Sequence, residues 1–166
     1  MKRYIALTAL ALLVPSLATA HISVRPRESK PCAEESCTVR VPTEGTVATT
    51  HVLLEVPPDA TVLEVLPAAG ATFETSTEGG RITTITWKEE IAPKQAAEFM
   101  FSARNPSAGD IVWKAHQHFA DGTAADWVGP AGDRRPAAVT NLTAASTGAG
   151  GQANDDRRTI AAAHVR

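Results

Sequence analysis

Glu78-Gly79-Gly80 followed by Arg81-Ile82-Thr83-Thr84-Ile85-Thr86-Trp87 is the stretch that decides the fold class. The paired glycines mark a turn. The seven residues after them set Ile82, Thr84 and Thr86 on one face of an extended chain and Thr83, Ile85 and Trp87 on the other. β-Branched and aromatic residues at a period of two predict a strand. Towards the N-terminus the same reading predicts strands over residues 71–75, 62–66 (ended by Pro67), 51–56 (ended by Pro57-Pro58-Asp59) and 37–41 (ended by Pro42). Towards the C-terminus it predicts a strand over 97–103, with Phe99 and Phe101 on one face and Glu98 and Met100 on the opposite one. Asn105-Pro106-Ser107 is a turn, residues 111–119 and 124–128 are strands, and Asp121-Gly122 between them is a tight hairpin turn. Helical periodicity is almost absent from His21 to Leu142. Roughly eight short strands at this spacing predict an all-β fold, a β-sandwich.

The flanks differ in character. Lys2 and Arg3, an apolar run over residues 4–14 and the small residues Ala18-Thr19-Ala20 have the three parts of a secretory signal peptide over residues 1–20. The apolar run is short for a membrane span, so cleavage after Ala20 and export to the periplasm, or another extracytoplasmic space, are expected. Residues 143–166 are small and polar, with few bulky apolar side chains to offset the entropy of ordering. They are expected to form a disordered tail, and His164 is a tail residue. Between them, residues 21–142 have the length of one domain.

Removing the leader takes two of the 16 basic residues and none of the 18 acidic ones, leaving 14 against 18. A mildly acidic exported domain is a poor partner for nucleic acid, whose binding rests on neutralising phosphates. The only two cysteines, Cys32 and Cys37, fall in the mature part. In an oxidising compartment such a pair is expected to close a disulfide. The alternative, a thiolate metal site, would ordinarily bring more cysteines or a histidine at zinc-like spacing.

No nucleophile elbow, phosphate loop or HExxH run is present, so the sequence points to a binding protein and not an enzyme. The residues that carry chemistry are His21, the carboxylates Glu44, Glu55 and Glu98, the histidines His51, His116 and His118, and the Asp126-Trp127 pair. Cleavage before His21 would give one residue two nitrogen ligands. An α-amine titrates near pH 8 and an imidazole near 6.5, so both yield to a divalent metal at modest cost around neutrality. Nitrogen ligands in a tetragonal arrangement suit Cu(II), which also tops the divalent affinity series.

Several ordered motifs make the resemblance to a known family specific. They are His21-Ile-Ser-Val-Arg-Pro26, Val41-Pro-Thr-Glu44 with Thr49-Thr50, Phe99-Met-Phe-Ser-Ala-Arg-Asn-Pro106, Trp113-Lys-Ala-His-Gln117, Asp121-Gly122 and Asp126-Trp127-Val-Gly-Pro130. Through them residues 21–142 resemble the YcnI-like copper-binding domains. The resemblance implies an immunoglobulin-like or cupredoxin-like sandwich that binds one Cu(II) at its mature N-terminus. It implies chelation by the amine and ring of His21, an oxygen from Glu44, with Glu98 as second choice, and Trp127 close to the metal. It also implies a role as copper chaperone or carrier in copper homeostasis, with a membrane copper importer or an oxidase-assembly protein as partner.

Beside that implication, Glu55 reads as a solvated carboxylate and Asp126 as a residue that orients the site from behind. His116 and His118, two apart on one strand, share a face and have the spacing to hold a metal between them. His51 reads as structural. If either His116 or His118 joined His21, a histidine-brace oxidative enzyme would be the alternative. A metal-free cell-envelope interaction domain is the second alternative.

Overall fold

In the computed structural model, residues 21–143 are described. The expected leader (1–20) and all but the first residue of the expected tail lie outside them. The described chain is all-β, with eleven strands: β1 Ser23–Arg25, β2 Glu28–Ser29, β3 Glu34–Pro42, β4 Thr49–Glu55, β5 Thr61–Val65, β6 Thr72–Glu78, β7 Arg81–Ile91, β8 Ala96–Arg104, β9 Ile111–Phe119, β10 Ala124–Trp127 and β11 Ala138–Leu142. All eight predicted strands are present. Three short ones are added, two before the first predicted strand and one after the last.

The strands form two sheets. The smaller runs β1-β3-β8-β5, and the larger runs β2-β11-β9-β4-β7-β6. β10 and β11 share one edge of β9: β11 pairs its first residues, through Ile111↔Thr140, and β10 the later ones, through Gln117↔Ala125. Alternation decides what each sheet buries. Val39, Val41, Phe99, Phe101, Ile22 and Val24 point inward from the smaller sheet, and Val52, Leu54, Ile85, Trp87, Trp113 and Ala115 from the larger. The two faces meet through aromatic rings. Trp87 stacks on Phe99 with centroids 5.2 Å apart, and Phe101 meets Trp113 edge-on at 5.4 Å. Each such pair contributes about 0.5–1.5 kcal/mol beyond the area it buries. β6 closes one edge with every residue exposed, and Lys88 on β7 pairs with its Glu74 at 2.6 Å.

The expected Cys32–Cys37 disulfide is corrected here: both cysteines are free thiols, Cys32 exposed and Cys37 buried. The β3–β8 pairing continues backwards past Glu34, with Asn105 N donating to Ala33 O and Cys32 N to Pro106 O. Residues 33–37 therefore run extended, and Cys32 sits in the turn before them, at a φ of 59° with Ala33 N donating to Lys30 O at 3.4 Å. At about 3.3 Å per residue residues 33–37 alone cover about 13 Å, so Cys32, one residue beyond, stays outside the roughly 7 Å that a bridge tolerates between Cα atoms.

Candidate metal centre

His21 stands just ahead of β1, whose register (Ser23↔Arg40, Val24↔Val39) brings it beside the end of β3. β3 ends at Pro42, and the segment after it is held from three sides. Thr43 N donates to Gln95 O at 2.8 Å, and Lys94 N to Thr43 O at 2.7 Å. The buried hydroxyls of Thr43 and Thr49 meet at 2.7 Å. Lys94 Nζ donates to the backbone carbonyl of Glu44. Glu44 is thus fixed at a strand end next to the N-terminal segment.

The opposite wall comes from the larger sheet. Alternation along β9 puts Trp113, Ala115 and Gln117 inward and leaves His116 and His118 on the outer face. Gln117, 2% exposed, uses both ends of its amide. Its Nε2 donates to Pro42 O at 2.9 Å and Thr49 Oγ1 at 2.7 Å. Its Oε1 accepts from Trp127 Nε1 at 3.2 Å. Trp127, 9% exposed, then presents its ring to His21, edge-on, with centroids 5.5 Å apart and planes at 64°.

These elements enclose an open cleft of about 580 Å³ whose walls include His21, Glu44, Gln117, Asp121, Trp127, Arg134 and Arg135. Asp121 occupies the hairpin turn, where Gly122 adopts a φ of 82°. The Thr123 hydroxyl and backbone N–H bond to its carboxylate at 2.7 and 3.0 Å and hold its carboxyl below the usual aspartate value of 3.8. The cleft therefore carries two carboxylates and two guanidinium groups around one half-buried imidazole.

The structure brings three of the four predicted metal residues, His21, Glu44 and Trp127, to one cleft. The fourth, Glu98, lies opposite Arg40 on the exposed face of β8 and is not in the cleft walls. Asp126 and Glu55 are not there either. Both engage His116 on the outer face, Asp126 Oδ1 at 2.7 Å from Nδ1 and Glu55 Oε1 at 2.9 Å from Nε2. His118 stacks on His51. Gln117, Asp121, Arg134 and Arg135 were not anticipated. Of these Gln117 carried a signal as a polar residue in the inward register of β9, and Asp121 as part of the Asp121-Gly122 motif, whereas Arg134 and Arg135 carried none.

Among the described residues, no three of His, Cys, Asp and Glu are grouped so as to hold a metal. A site at His21 must therefore draw on backbone as well as side chain. The donor set fits a borderline divalent ion: an imidazole and a carboxylate line the cleft, and the nitrogen of residue 21 becomes a free amine if the chain is cut before it. A soft thiolate site does not fit, since neither cysteine lines the cleft.

A family model described as "Domain of unknown function (DUF1775)" matches residues 21–142. The copper-binding protein CutI of Bacillus subtilis (strain 168) is 34% identical over 155 residues, which cover 87% of this chain and 76% of that protein. An uncharacterized protein from Nocardia farcinica, whose crystal structure revealed an immunoglobulin-like fold, superposes with a TM-score of 0.66 at 25% identity, covering 75% of this chain and 99% of that one.

Proposed function

The chain belongs to the DUF1775 family, the YcnI-like domains, and from that premise we propose that it is an exported copper carrier that binds one Cu(II) through His21 after cleavage behind Ala20. Copper is its cargo. The observation that carries this reading is the placement of the His21 ring against Trp127 at the mouth of a cleft shared with Glu44. His21 supplies an amine and an imidazole nitrogen, and Glu44 an oxygen. The Trp127 indole, held by Gln117, covers one approach and limits access of solvent. Release by ligand exchange suits a terminal site in an open cleft. A membrane importer or an oxidase-assembly protein is the class of recipient, and turnover is no part of the role.

The oxidative alternative needs a second imidazole at the metal. Its two nominees, His116 and His118, face the other side of β9 and are engaged there with Glu55, Asp126 and His51. Spin-resonance spectra of the purified mature protein with one equivalent of Cu(II) test the carrier reading. One imidazole plus one amine nitrogen is expected, with loss of this signal in His21→Ala. Two imidazoles in the first equivalent would favour the oxidant. Copper uptake that His21→Ala leaves unchanged would refute the site, and no uptake at all would favour a metal-free interaction domain.

A further inference from the structure

We propose that His51 and His118 form a second metal site, on the outer face of the larger sheet, which takes a divalent first-row transition ion, Cu(II) in preference to Ni(II) or Zn(II), through two imidazole nitrogens and solvent water. This site is independent of the one at His21. His51 and His118 are directly opposite each other in the β4–β9 register, and such cross-strand neighbours hold their Cβ atoms about 4.5–5.5 Å apart. Their rings lie 4.2 Å apart and nearly parallel, at 7°. Two imidazoles so placed reach a common point without any backbone movement.

The hydrogen bonding around the pair sets the tautomer of one ring. Thr50 has a single hydroxyl proton, which it donates to the carbonyl of His118 at 3.3 Å. Its oxygen is then an acceptor for His51 Nδ1, 3.1 Å away. With Nδ1 carrying the proton, His51 Nε2 keeps its lone pair, the arrangement by which an outer partner prepares a metal-binding imidazole. No protein group among the described residues hydrogen-bonds a ring nitrogen of His118, so that ring is able to turn out of the stack about its broad χ2 and share a metal with His51.

Both rings also avoid competing claims. Partial burial, then the neighbouring His118 and Lys88, push His51 below the ordinary imidazole value of 6.5. It is therefore neutral and able to ligate at pH 7. Lys88 faces His51 from β7, but its ammonium is occupied by Glu74. The contrast with His116 is instructive. Both of its nitrogens are taken by carboxylates, which leaves it no lone pair to offer although it shares the face of His118. Imidazole ligands suit Zn, Ni and Cu, with Cu(II) bound most tightly of the three. Gln117 separates the two sites along β9, since its side chain enters the core while His118 faces out.

The test is a Cu(II) titration of the mature His21→Ala protein, followed by native mass spectrometry and pulsed spin-resonance spectroscopy. One bound equivalent with two imidazole nitrogens is expected. It should disappear in His21→Ala combined with either His51→Gln or His118→Gln, each confirmed folded by circular dichroism. His116→Gln in the same background should leave it in place, which separates loss of ligands from loss of fold. No binding in the His21→Ala protein, or binding that survives both glutamine substitutions, would overturn the proposal.

Discussion

Trp127 Nε1 donates to Gln117 Oε1 at 3.2 Å, and through that contact a wall of the His21 cleft is fastened to the core. The same amide holds Pro42 O and Thr49 Oγ1, so one buried side chain sets the spacing between the Trp127 wall and the segment leading to Glu44. Gln117→Met keeps most of the volume but leaves a buried indole N–H and a buried carbonyl without partners. We expect a loss of about 1–3 kcal/mol of stability, seen as a lower denaturant midpoint at unchanged slope, together with weaker copper binding at His21. A variant as stable as the parent would mean that these bonds carry no net weight.

The pH dependence of stability should have two opposed limbs. At His116 burial lowers the imidazole value, but the hydrogen bonds and charges of Asp126 and Glu55 outweigh it, and the net shift is above 6.5. A raised folded-state value contributes stability that is fully present below 6.5 and is lost as the pH rises through the folded value. His51 is shifted the other way, so its contribution is present above 6.5 and is lost as the pH falls through its lowered value. Stability should therefore pass through a shallow maximum near pH 6.5. His116→Asn should remove the decline on the alkaline side, and His51→Asn the decline on the acid side. Thermal unfolding between pH 5 and 8 checks both, and identical profiles for the three proteins would contradict the assignment.

Much of the fold was legible because burial enforces alternation. Phe99 and Phe101 face the core while Met100 is exposed, as the period of two requires. β1 and β2, at three and two residues, are too short to carry a period, and they exist because β3 and β11 offer them edges. The site was legible in another way. His21 was marked by the Ala18-Thr19-Ala20 cleavage signal before it, its grouping with Glu44 and Trp127 came from resemblance to a family, and no local pattern in the chain says that they meet. Gln117 was visible as a polar residue in the inward register of β9. Arg134 and Arg135 reach the cleft only through the path of the loop after Gly129, which no periodicity encodes. The cysteines misled because compartment and spacing suggest a bridge, whereas the extended start of β3 carries Cys37 away from Cys32 in the turn before it.

The two thiols should be chemically unequal. Burial, and secondarily Glu35, push the Cys37 thiol up to about 12, so it carries almost no thiolate at neutral pH, the form that reacts. Cys32 is exposed. Native protein under reducing conditions should therefore take up one equivalent of a maleimide quickly, at Cys32, and the second only after unfolding. Rapid native labelling of Cys37, mapped by mass spectrometry, would mean that the β3 edge opens far more readily than its pairing with β8 implies.

Gly129 is the position where a single methyl group should matter most for the loop that carries Arg134 and Arg135. Its N–H donates to Arg135 O at 3.0 Å and its carbonyl accepts from Ala137 N at 2.9 Å, which pins both ends of residues 129–137 together. A Cβ at this position would lie 2.9 Å from both Cβ and Cγ of Asp133. A rotation of the Asp133 carboxylate cannot relieve a clash with its own Cβ, so the backbone itself must shift. Gly129→Ala should cost about 1–3 kcal/mol, the range for overpacking, and should loosen the cleft wall without touching a proposed metal ligand. Adding Asp133→Gly removes the clashing atoms and should recover part of that loss, giving a favourable coupling in a double-mutant cycle. Strictly additive effects would place the strain elsewhere in the loop.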